Sequence, residues 1–121
     1  MAERVLTLYQ GPFLDGEDAA WALGAREELR IRFVRMISDL AARLQDLGDH
    51  EGAAGLLERG LEADDVAEQL YRALMLCYQT LERPAEAVGV FNRCRTQLAA
   101  RLNVEPSRET RRLYEQLSAT S

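Results

Sequence analysis

From Ala22 to Leu47 the apolar residues fall at Ala22, Ala25, Leu29, Phe33, Met36, Leu40, Leu44 and Leu47. Steps of three and four mark a helix with one buried face. Ile37 and Ala41 widen the stripe, so the pattern predicts one helix of about 28 residues packed on two sides. "LGDH" should end it, with Gly48 in a left-handed turn and Asp49 capping the next helix. That helix presents Ala53, Leu57, Gly60 and Leu61. In "EADDVAEQ", Asp65 followed by Glu68 resembles a capping box. The helix after it buries Ala67, Leu70, Tyr71, Leu74, Tyr78 and Leu81, and Pro84 opens a fourth with Ala87, Val88, Phe91, Cys94, Leu98 and Leu102 inward. "NVEPS" then breaks the pattern, and Ser107 should cap a last helix carrying Leu113, Tyr114 and Leu117. At the start, "AERVLTLY" suits a short helix and "QGPFLDGED" a loop in which Phe13 and Leu14 tuck near Trp21. No segment alternates with period two, so the fold class is all-α.

The pattern is written twice. Adding 34 to Ile37, Leu40, Leu44, Ala53, Leu57 and Gly60 gives Tyr71, Leu74, Tyr78, Ala87, Phe91 and Cys94, all apolar or small. A helix–turn–helix period of 34 is that of the tetratricopeptide repeat, in which one hairpin cannot bury its apolar face and stacks on its neighbour. Small residues (Ala53, Ala87, Gly60, Cys94) belong where helix axes cross closely. Larger ones fill the holes between. The expected architecture is a tetratricopeptide-like, right-handed stack of antiparallel helical hairpins with flanking capping helices. Two features depart from the common pattern: Glu82 stands where the first copy has Gly48, and Asp65 where proline is usual. A third copy is missing, so the long first helix and the terminal segments must cap the stack.

Composition narrows the function. At 121 residues and 47% apolar content the chain suffices for one domain with a real core. A net charge of −5 disfavours nucleic acid as a direct partner. No apolar run approaches the ~18 residues of a membrane span. All 15 basic residues are Arg, a codon-bias sign of a GC-rich bacterial genome. Cys77 and Cys94 sit within apolar patterns as small buried hydrophobes, consistent with a reduced, cytoplasmic setting.

Catalytic chemistry finds little support. The one histidine, His50, sits at a helix start between Asp49 and Glu51. The chain holds no Gly-rich phosphate loop, HExxH, CxxC or calcium loop, and Asp64–Asp65 reads as capping. We therefore expect no enzyme, no catalytic residue, no metal and no cofactor. A binding face is the better candidate. The inner helices of stacked hairpins line one surface, and the 34-residue register places there Arg35, Ser38 and Gln45 from the first copy, with Gln69, Arg72, Leu76 and Gln79 from the second. Arg and Gln suit an extended peptide backbone or an anionic group. "REELRIRFVR" and "RETRR" read as solvated, salt-bridged faces.

"LYQGPFLDG" followed by Trp21, "EQLYRALMLCYQ", "AEAVGVFNRCR" and "LNVEPSRETRRLYEQL" resemble the bacterial transcriptional activator domain over nearly the whole chain, Val5 to Leu117. Asn103 replaces the family's usual glycine, and asparagine is the next-best residue for a left-handed helix end. The resemblance implies a tetratricopeptide-like effector or oligomerisation domain that controls a separate DNA-binding domain. It also implies a chain excised from a longer regulator, with residues 1–121 as one domain. Expected partners are other domains of that regulator, a second copy, or the transcription machinery. A stand-alone adaptor for a peptide and a sensor of a small anionic, nucleotide-like ligand stand as alternatives.

Overall fold

A computed structural model describes the backbone of residues 16–120 and the side chains of 21–119. The expected short first helix and the Phe13–Leu14 contact lie outside the described residues. Five helices follow in order: α1 (Gly16–Asp46), α2 (His50–Ala63), α3 (Glu68–Thr80), α4 (Pro84–Leu102) and α5 (Arg108–Thr120). Among the described residues there is no strand, and no helix is long and apolar enough to cross a membrane. The first helix starts at Gly16, so Gly16–Asp18 are helical and not the end of a loop.

The helices form two layers. In one, α1, α3 and α5 lie side by side, each touching the next; in the other, α2 packs on α1 and α3, and α4 on α3 and α5. The core lies between the layers. Its largest fully buried side chains include Tyr71, Leu57, Leu70, Leu74, Met75 and Leu98. Ala53 and Ala87, the paired small residues of the two copies, are 0% and 2% exposed, as axes crossing closely require. Gly60 marks another close crossing. A Cβ there would stand 2.9 Å from Leu70 Cδ1 and 3.0 Å from Ile37 Cγ2. No comparable contact exists at Gly89, where nothing lies within 4 Å; the structure offers no packing reason for that glycine.

The repeat register is visible in the turns as well. At the end of α1 the Gly48 N–H donates to Gln45 O and the Asp49 N–H to Leu44 O, with Gly48 at φ 83°. At the end of α3 the Glu82 N–H donates to Gln79 O and the Arg83 N–H to Tyr78 O, with Glu82 at φ 59°. Both are Schellman caps. Glu82 thus makes the turn that its side chain disfavours, and the sequence departure leaves the backbone unchanged. A non-glycine residue in this region costs about 1–2 kcal/mol. Glu82→Gly should therefore raise the unfolding midpoint by a few degrees, about 1 kcal/mol of stability, in a thermal melt followed by circular dichroism. Asn103, at φ 54°, ends α4 with its N–H on Ala99 O, as expected for a left-handed cap.

Two local expectations fail. Asp65 and Glu68 form no capping box: the N-cap of α3 is Ala67, without a side-chain cap. Asp65 instead pairs with Arg101 at 2.9 Å and its carbonyl accepts from the Tyr71 hydroxyl at 2.7 Å. Both acids serve tertiary contacts, which outweigh a local cap worth about 1 kcal/mol. The outer face of α1 is also more open than its periodicity suggests. Met36, Leu40 and Leu47 are 50%, 41% and 82% exposed, whereas Ile37 and Ala41 are buried. The two neighbours that the described residues supply, α2 and α3, leave these three positions open. Leu102, at the C-terminal end of α4, is likewise exposed, and the fully enclosed valine of that helix is Val90, while Val88 is half-buried.

Candidate functional site

The last helix is held by a polar clasp. Ser107 caps α5 and receives the Thr110 N–H on its Oγ at 3.4 Å. Glu68, at the start of α3, accepts from the Ser107 N–H at 2.9 Å and from Thr110 Oγ1 at 2.6 Å. Arg72, one turn on, donates from Nη1 to Thr110 Oγ1 at 3.0 Å and lies 3.7 Å from Glu109 Oε2. Thr110 is fully buried within this set. Beyond it, Tyr114 stacks on Phe91 with ring centroids 4.0 Å apart, and Leu117 is buried.

Burial alone would raise the Glu68 pKa, but the hydrogen bonds from Thr110 and Ser107 and the charge of Arg72 outweigh it and hold the carboxyl below its ordinary value of 4.5. A folded-state pKa below the unfolded one gives stability that is present above about pH 4.5 and lost as pH falls through the depressed value. Glu68→Gln should lower stability at pH 7 by about 1–2 kcal/mol. Melts from pH 7 to pH 3 should show the gap to the parent closing below about pH 4.5.

A second carboxylate works similarly between α2 and α4. Burial pushes Glu58 up, but hydrogen bonds from Arg93 and Tyr78 overcome it and bring the pKa below the ordinary value. The Arg93 guanidinium meets both carboxylate oxygens, at 2.8 and 3.1 Å. Burial pushes the Cys94 thiol up to about 12 and raises Cys77 too; both are free and enclosed.

Past the clasp, α3 and α5 leave an open groove lined by Arg72, Leu76, Arg108, Glu109, Arg112, Leu113 and Gln116. Leu76 is 44% exposed and Leu113 half-buried, so the floor is apolar. Arg108 and Arg112, one turn apart on α5, are exposed and make no ion pair among the described residues. The groove offers an apolar seam beside two available guanidinium groups.

Only part of the predicted lining meets here. Arg72 and Leu76 share the groove, but Arg72 is spent on Glu68, Thr110 and Glu109 rather than offered to a ligand. Arg35 lies elsewhere, in a shallow groove on the outer face of α1. The Ser38 hydroxyl is enclosed without a hydrogen-bond partner among the described residues. Gln69 and Gln79 are exposed and Gln45 half-buried, none of them lining the α3–α5 groove. The α5 contribution was missed because "RETRR" reads as a solvated face. Its signal was the four-residue step from Arg108 to Arg112 to Gln116, which aligns the three on one side of a helix.

Layered helical hairpins in a 34-residue register, with an open groove between inner helices, define a helical-repeat scaffold of the tetratricopeptide-like kind. The chain belongs to the bacterial transcriptional activator domain family, whose model matches residues 1–118. Neither a curated protein nor a solved structure matches it. The family places the chain among the domains of transcription regulators.

Proposed function

We propose that this domain is a non-catalytic, cytoplasmic effector module. In this reading it grips an acidic, amphipathic segment of another regulator domain or of a partner protein in the α3–α5 groove. Binding there biases a DNA-binding domain elsewhere, by favouring docked over free arrangements. The observation that carries this reading is the exposed Leu76 seam beside Arg108 and Arg112. Arg is favoured where carboxylates are recognised, since its planar fork meets both oxygens. The chain's overall charge of −5 makes this local basic strip a selective feature, and the domain itself is not assigned to DNA.

The test is a titration with a labelled helical peptide carrying leucines on one face and glutamates beside them. Arg108→Glu with Arg112→Glu should weaken binding at least tenfold, with helicity and melting midpoint little changed, because both side chains are exposed. Unchanged affinity would remove the groove from the mechanism. A parallel thermal-shift series with nucleotides distinguishes a small anionic ligand: stabilisation by a nucleotide, lost in the double variant, would replace the peptide reading.

A further inference from the structure

The geometry points to a second docking face, on the outside of α1, built to receive an acidic amphipathic helix of another protein domain. The repeat register carries the inference. Met36, Leu40 and Leu47 correspond, 34 residues on, to Leu70, Leu74 and Leu81. In the second copy that stripe is the stacking face: Leu70 and Leu74 are 0% exposed and Leu81 packs against the core, with α1 and α2 lying against α3. In the first copy the same stripe keeps its apolar spine but stands open. It is a stacking surface that no described helix covers.

The charges define the kind of neighbour that fits it. Where the second copy has Val66, Ala73 and Cys77, the first has Arg32, Asp39 and Arg43, and Arg35 lies alongside. Three guanidinium groups against one carboxylate make the rim basic on an acidic chain. Two copies meeting through this face would set arginine against arginine, which disfavours self-association. A helix with an apolar stripe flanked by Glu or Asp would bury the spine and pair the rim. Met and Arg are residues enriched at interfaces, and a rim of this kind suits a contact that forms and releases. The face is distinct from the α3–α5 groove, so neither reading depends on the other.

The methionines provide a direct probe. Met75 is fully buried whereas Met36 is half-exposed, so the Met36 methyl resonance reports on this face alone. Titrating the full chain with a Leu/Glu amphipathic helical peptide should shift the Met36 methyl signal and leave Met75 in place. Arg32→Glu, Arg35→Glu and Arg43→Glu together should abolish that shift, and a Leu/Lys peptide should restore it on the triple variant. Arg108→Glu with Arg112→Glu should leave it intact. No Met36 shift, a shift that survives the triple reversal, or a chain that dimerises through this face would each overturn the proposal. So would a shift that appears only after removal of residues 2–15, since the chain's own N-terminal segment would then be the occupant.

Discussion

Replacing Ala87 with tryptophan is expected to abolish cooperative folding. Ala87 is 2% exposed, at the position equivalent to Ala53, within the core that α4 helps to close. Adding methylenes to a close-packed interior usually costs about 1–3 kcal/mol, and an indole far exceeds that addition. A domain of this size has about 6–15 kcal/mol in total. Because α4 packs on both α3 and α5, a helix pushed aside at Ala87 disturbs more than one seam. Circular dichroism should show a broad, low-amplitude melt and exposed hydrophobic surface by dye binding. A sharp transition at the parent midpoint would show that Ala87 is not in the stacking contact.

Leu57→Ala should have the next largest effect. Leu57 is fully buried in α2, the helix that fills the seam between α1 and α3. Truncating it removes side-chain contacts and leaves a cavity that three packed helices cannot close, for a loss of about 3–4 kcal/mol. At roughly 3–5 °C per kcal/mol, the midpoint should fall by about 10–15 °C. Leu47→Ala is the control: with 82% exposure, it should change the midpoint by less than about 2 °C.

The sequence was most informative where physical constraint is local or periodic. Ala53, Leu57, Tyr71, Leu74, Ala87, Phe91 and Cys94 occupy the core because helical periodicity and the 34-residue offset agree on them. Asp49 and Ser107 cap their helices because a short oxygen-bearing side chain before an apolar run has one dominant use. Failures cluster where a residue serves a distant contact. Glu68 has the right spacing for a local box, yet its carboxylate is drawn to Ser107 and Thr110, some 40 positions away. Arg72 has the right face for a ligand, yet it completes that same clasp. Periodicity also cannot say which faces of an end helix have neighbours, so Met36 and Leu40 read as core on α1 as convincingly as Leu70 and Leu74 do on α3. The binding groove was half legible: α3 supplied Leu76 through the repeat, but α5 lies outside the two copies, and no repeat argument reaches Arg108 or Arg112.

The length of α1 has a mechanical consequence. Its 31 residues make a rod of about 46 Å, while the 14 residues of α2 brace only about 21 Å. Tilting such a lever by some five degrees about its braced end swings the far tip by about 4 Å. A small adjustment at one end of the domain would therefore arrive at the other as a displacement large enough to make or break a contact.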